Sequence, residues 1–266
     1  MWFTLAKMRS QPDQSNESVL QRANALLGAF GPRHRHLTLS AIVMRTGLPK
    51  STVHRTAKQM MELGWLTYEH GRYALGTRIF ELAGHSSMRY ELRETALPYM
   101  EDLYESTHVS VHLAVHKDLD VLYVEKIRGH DRITDLSQVG GRMPLYCTGL
   151  GKVLLAFSPV DLFDRVISHG LVSRTQATIT SPIRLRRELQ TIAANGFAFD
   201  REEASVGINC VAAPIFGHDR KVVAAISVTG RATRTRMDAL APAVTTAAHG
   251  ISRTLGAGRM SLGLAT

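Results

Sequence analysis

The sequence predicts an α+β chain in two parts: a small basic winged helix-turn-helix and, across a helical linker, a domain whose sheet is flanked by helices. Three observations predict it. Residues 37–55, LTLSAIVMRTGLPKSTVHR, read as two short helices around a sharp glycine turn. Residues 1–78 hold 11 Lys plus Arg and 4 Asp plus Glu, a net +7, whereas residues 79–266 hold 21 and 19, a net +2. From Val109 onward apolar residues alternate with period two, the spacing of strands.

The elements follow in order. Val19, Leu20, Ala23, Leu26, Leu27 and Phe30 recur at helical spacing up to the Gly31-Pro32 break and form a first helix. Leu37 to Met44 forms the second, with apolar residues at 39, 42 and 43 and the Thr38 hydroxyl as its cap. After the turn at Gly47, Pro49 suits the first turn of a third helix, because its fixed φ fits and its missing N–H costs nothing there. Lys50, Ser51, Thr52, His54 and Arg55 crowd the exposed start of that helix, and Lys58 follows one turn on. Short donors and cations so placed suit phosphates and base edges. Trp65 to Tyr68 and Arg72 to Leu75 are β-rich runs separated by Glu69-His70-Gly71, a two-stranded wing that puts Arg72 near phosphates or a minor groove. Many helix-turn-helix-like spacings belong to bundles that never touch DNA. Charge decides here, since the excess of cations lies on the part that carries the motif. The predicted nucleic-acid contacts are Thr38, Lys50, Ser51, Thr52, His54, Arg55, Lys58 and Arg72, and the partner is double-stranded DNA.

At 266 residues, 44% hydrophobic and 21% charged, the chain is long enough for two globular domains. No apolar run approaches the ~20 residues that span a bilayer, so no membrane partner is expected. The start, MWFTLAKMRSQPDQSNES, lacks the features of a secretory signal, and residues 1–15 read as a disordered polar arm. The expected setting is cytoplasmic. Cys147 and Cys210 fit a reducing compartment and cannot make a four-thiolate zinc site. His108, His112 and His116 are four apart, but on a strand they project from one face along an extended rise, so no metal is expected.

Residues 78–105 read as a helical linker, broken around Gly84 to Ser87. Strands are predicted at Val109 to Val115, Val121 to Lys126, Val211 to Ile215 and Val222 to Thr229, with helices at Gly151 to Phe157, Leu162 to Ile167 and Arg184 to Asn195. In PLYCTGLGKVLLA, residues 144–156, Thr148, Gly149 and Gly151 open a helix whose free N–H groups suit an anion. It is not a P-loop, because Tyr146 stands where that motif needs its first glycine and Val153 replaces its Ser or Thr. Nucleotide hydrolysis is thereby disfavoured and no cofactor is expected. GFAFDREEASVGINCVAAP, residues 196–214, gathers Asp200, Glu202, Glu203 and Cys210 around a turn into a strand, an arrangement that by itself suits a solvated loop.

Together these blocks resemble the IclR family of bacterial transcriptional regulators from about Ser15 to Thr254. The resemblance is carried by residues 37–55, RYALG, VLYVEK at 121–126, residues 140–156, TQATIT at 175–180, residues 196–216 and VVAAISVTG at 222–230. It implies a winged helix-turn-helix over 16–77, the linker over 78–105, a GAF-like effector-binding domain over 106–256 and a tail over 257–266. It also implies homodimers, with tetramers in some members, and a small organic or aromatic acid as effector. Carried over by position, the effector pocket comprises Gly149, Leu150, Asp200, Cys210, Ser227 and Thr229. His108 and His112 are further candidates to reach a ligand. Thr56 and Ala57 stand where the family has two large aliphatics, which predicts looser packing of the third helix. Arg132 and Asp135 are charged where relatives present apolar residues, and Arg132 would favour an acidic effector. Two other readings remain: an architectural DNA-binding protein without effector, and a GAF-like enzyme with Cys147 or Cys210 as nucleophile or redox centre.

Overall fold

A computed structural model describes residues 18–31, 34–84, 87–130 and 137–256. The expected arm, the 257–266 tail, and Arg132 and Asp135 lie outside these residues. The chain divides into two compact units, Met1–Ser86 and Ser87–Thr266.

In the first unit, helix α1 (Val19–Gly28) begins with a capping box in which Ser18 and Gln21 each satisfy the other's backbone N–H. Its apolar pattern is only partly used, since Ala23 and Leu26 are buried while Val19 and Leu20 face solvent. Helix α2 (Leu39–Thr46) is capped by Thr38 Oγ1, which accepts from Ala41 N at 3.2 Å, and it ends at Gly47 with φ of 71°. Helix α3 (Lys50–Glu62) starts one residue later than Pro49 suggests. Pro49 is the N-cap, with ψ of 141°, and its carbonyl accepts the first helical bond from Val53 N. Strands β1 (Leu66–Glu69) and β2 (Arg72–Leu75) pair antiparallel. His70 and Gly71 turn the chain with φ of 50° and 77°, the two positive values a tight right-twisted hairpin demands. Leu37 bonds Tyr73 in both directions, tying the segment before α2 to the wing. The core gathers Leu26, Ile42, Val53, Ala57, Met60, Leu66 and Tyr73. Thr56 and Ala57, the small residues at which looser packing is expected, are buried, 5% and 0% exposed. Helix α4 (Thr77–Gly84) completes this unit.

The second unit is built on a six-stranded antiparallel sheet of order β5-β4-β3-β8-β7-β6. Its strands are β3 (Ser110–Lys117), β4 (Asp120–Ile127), β5 (Arg142–Pro144), β6 (Ala198–Arg201), β7 (Ile208–Phe216) and β8 (Val222–Arg231). One face is covered by α5 (Ser87–Thr107) and α9 (Met237–Thr254), which bury Leu92, Met100, Val244 and Ile251 against Val111, Leu113, Val211, Ile226 and Val228. The other face carries α6 (Gly149–Ala156), α7 (Val160–His169) and α8 (Pro182–Asn195). There the strands present small side chains, Ala114, Ala212 and Ala225, which let α6 lie close. Gly151 lets the turn at Leu145 fold back against the start of α6, since a Cβ on it would stand 2.3 Å from the carbonyl oxygen of Leu145. The expected linker is therefore two helices: α4 with the first unit, and α5 as a layer of the second.

Candidate functional sites

Helix α3 divides by its 3.6-residue period into two faces. Val53, Thr56, Ala57 and Met60 are buried. Lys50, His54 and Lys58 form one exposed row and Ser51 and Arg55 a second, with Thr52 half-buried beside them. The first-turn N–H groups of α3 receive no side-chain cap, which leaves them open at the cationic end. Arg72 is exposed on the wing, opposite Glu69 in the ladder. Thr38 is exposed at the start of α2, with its hydroxyl engaged as the cap. All eight residues expected to meet DNA thus lie on the surface of one unit or at its margin.

In the second unit a cavity of about 50 Å³ lies between the first turn of α6 and strands β3, β4, β6, β7 and β8. Five of the six residues expected at an effector pocket line it: Gly149, Leu150, Asp200, Cys210 and Thr229. Ser227 does not; it is fully buried, paired in the ladders with His112 and Ala212, and its Oγ has no hydrogen-bond partner among the described residues. Thr148 caps α6 by accepting from Gly151 N at 3.0 Å. Helix geometry leaves the N–H groups of Gly149 and Leu150 as first-turn donors, both at the cavity wall. A side chain at position 149 would press on Cys210 Sγ, 3.2 Å from its Cβ, so glycine lets the helix end reach the strand.

Asp200 is 5% exposed. Its Oδ1 accepts from Glu203 N at 2.8 Å and Ala204 N at 3.4 Å, and Oδ2 has no hydrogen bond among the described residues. Burial and the neighbouring Glu203 push its carboxyl up to about 7, against the pull of those N–H groups and of Lys152. Lys152, 1% exposed, ion-pairs with Glu203 and, at 2.9 Å, with Glu188; burial alone would lower its pKa, but these carboxylates hold it above the ordinary lysine value. His112 is buried on the opposite wall, with Nε2 3.0 Å from Ser137 Oγ and Nδ1 3.4 Å from Thr229 Oγ1. Lys126 Nζ donates to the same Ser137 oxygen at 3.0 Å. Burial, then Lys126, lowers His112 to about 3, so its ring is neutral at pH 7. Burial raises Cys147 and Cys210 to about 12, which keeps both as thiols and withholds the thiolate that nucleophilic or redox chemistry needs. His108 does not join the cavity; its ring packs against Tyr104 and His130, while His116 reaches the Asp118 carbonyl. Tyr123, Ser137, Met143, Thr148, Ala204, Ser205 and Ile208 complete the lining among the described residues. Of these only Ser137 lies outside the sequence blocks singled out above.

Comparison with known proteins bears on both units. Residues 19–70 match the IclR helix-turn-helix domain, and residues 85–253 match the C-terminal domain of the bacterial transcriptional regulator IclR. The chain belongs to the IclR family. It is 33% identical over 249 residues to the transcriptional regulator KipR of Bacillus subtilis, covering 91% of this chain and 99% of that one. The glycerol operon regulatory protein of Streptomyces coelicolor is 34% identical over 92% of this chain and 98% of its own. Among solved structures, an IclR homolog from Microbacterium hydrocarbonoxydans in complex with 4-hydroxybenzoate superposes with a TM-score of 0.83 at 30% identity, covering 91% of this chain and all of that one. The IclR relatives are transcriptional regulators and not enzymes. This member accordingly joins a DNA-binding helix-turn-helix unit to an effector-binding unit. Among the described residues no helix is long and apolar enough to cross a membrane.

Proposed function

We propose that this IclR-family regulator binds its operator as a homodimer and that a small carboxylic acid held in the cavity beneath α6 modulates the binding. The observation that carries the reading is the cavity itself. Helix-end donors at Gly149 and Leu150 suit a carboxylate, while Tyr123, Met143, Leu150 and Ile208 supply apolar walls. The structural neighbour that holds 4-hydroxybenzoate supports the same ligand class. An architectural protein without effector has no use for a cavity walled by buried polar groups.

On the DNA side, α3 enters the major groove with Lys50, Ser51, Thr52, His54 and Arg55 nearest the bases and Lys58 toward the backbone. Arg72 reaches phosphates or the minor groove from the wing, and Thr38 lies at the groove edge. The acid shifts the population of dimer arrangements and so the match of two α3 helices to operator half-sites. The test is a titration of DNA from upstream of the chain's own gene, read by fluorescence anisotropy with and without 4-hydroxybenzoate, benzoate or pyruvate. Arg55→Ala is expected to weaken specific binding by roughly 1 to 3 kcal/mol, with little change on unrelated DNA. Equal loss on both DNAs would move Arg55 from base reading to phosphate contact. Operator affinity that no acid alters would remove the effector reading.

A further inference from the structure

The cavity holds a contradiction for an acid ligand. Among the described residues no lysine or arginine lines it, the one histidine there is neutral, and the one carboxyl, Asp200, already occupies the wall. Two ionised carboxylates in so small a space repel each other with little solvent to screen them. Asp200 also has one oxygen to spare: Oδ1 takes both backbone N–H bonds, and Oδ2 is left without a partner among the described residues. We propose that Asp200 receives the acid as a neutral carboxyl, so that each acid anion entering the cavity brings one proton onto Asp200, whose Oδ2–H then donates to the ligand. The inference rests on the acid-effector reading above and adds the protonation state that reading requires.

The groups that face Asp200 agree with this. Glu203 on the loop after β6 is negative and adjacent, while Lys152 on α6 is committed to Glu203 and Glu188. Cys210 on β7, Tyr123 on β4 and Cys147 ahead of α6 also feel the Asp200 charge and are themselves pushed upward by burial, so they stay neutral. His112 on β3 stays neutral as well, and Arg174 acts on Tyr123 and Cys147. The cations nearest the cavity are Arg174, whose Nε donates to the Ala204 carbonyl at 3.4 Å, and Lys126, whose Nζ donates to Ser137 Oγ at 3.0 Å, and neither is hydrogen-bonded to Asp200. The apo carboxyl is already balanced near neutrality, so one extra negative charge suffices to hold the proton on.

The experiment is calorimetric titration of the full chain with 4-hydroxybenzoate, benzoate and pyruvate, in pairs of buffers of different ionisation heat, between pH 5.5 and 8.5. Expected proton uptake per bound acid is near zero at pH 5.5, about half near pH 7 and close to one at pH 8.5. Over the same range Kd should rise about tenfold per pH unit above 7. Asp200→Asn should bind the acid with no uptake and a flat pH profile, and 4-hydroxybenzamide, which is neutral, should bind wild type without proton exchange. An acid that binds wild type at pH 8.5 with no uptake overturns the proposal and leaves the effector reading standing. So does an Asp200→Asn variant that keeps the full pH dependence. Failure of every acid to bind at pH 5.5 overturns the effector reading itself. The wild-type buffer series decides the matter even where the variant does not fold.

Discussion

Asp200 and His112 face one cavity, and burial shifts them in opposite directions because it disfavours the charged form of each. The consequences for stability are opposite too. His112 titrates near 3 when folded and near 6.5 when unfolded, so its contribution is present above about pH 6.5 and is lost as pH falls toward 3. Asp200 titrates near 7 when folded and near 3.8 when unfolded, so its contribution is present below about pH 3.8 and is lost as pH rises toward 7. Between about pH 4 and 6.5 the two slopes oppose each other. Relative to wild type, Asp200→Asn should therefore lose stability faster on acidification, and His112→Gln should gain it. Urea midpoints of the effector unit across that range check this, and two variants parallel to wild type would refute the assigned charge states. At this scale the sequence was legible where residues lay in recognisable blocks: Gly149, Leu150, Asp200, Cys210 and Thr229 meet in space as expected. Ser137 stands on a segment without periodicity, and only the folded chain brings it to the wall.

At the scale of elements, the DNA-reading helix was the most legible part of the chain, because its two faces differ in both polarity and charge. Lys58 sits two turns along α3 from Lys50, on the same exposed row. If it meets a phosphate, Lys58→Ala should weaken binding to operator and unrelated DNA alike and reduce the slope of log K against log salt by about one. Anisotropy titrations at several salt concentrations measure that slope, and a slope unchanged from wild type would take Lys58 off the backbone. Helix α9 was illegible for the complementary reason. Its residues, MDALAPAVTTAAHGISRT, are mostly small, and Pro242 lies inside it, so neither apolar contrast nor a clean start marks it. Its helical state is secured by packing: Gly250 meets the ring of Tyr99 on α5 so closely that a Cβ there would stand 2.4 Å from it. Strands β5 and β6, three and four residues long, are too short for alternation to declare itself.

The whole molecule consists of two units with separate cores, each large enough to melt as a cooperative body. Calorimetry is expected to show two transitions. Operator DNA should raise one of them and a bound acid the other, each in proportion to occupancy. A single transition displaced equally by both ligands would mean the units unfold as one.

The sheet of the second unit has two unlike sides. Neighbouring residues on one strand serve opposite faces: His112 and Cys210 look into the cavity, while Val111 and Val211 pack beneath α5 and α9. Helix α5 is also the segment through which the chain arrives from the DNA-binding unit. Any group in the cavity that touches His112 or Cys210 is therefore one residue along the strand from the side chains on which α5 rests.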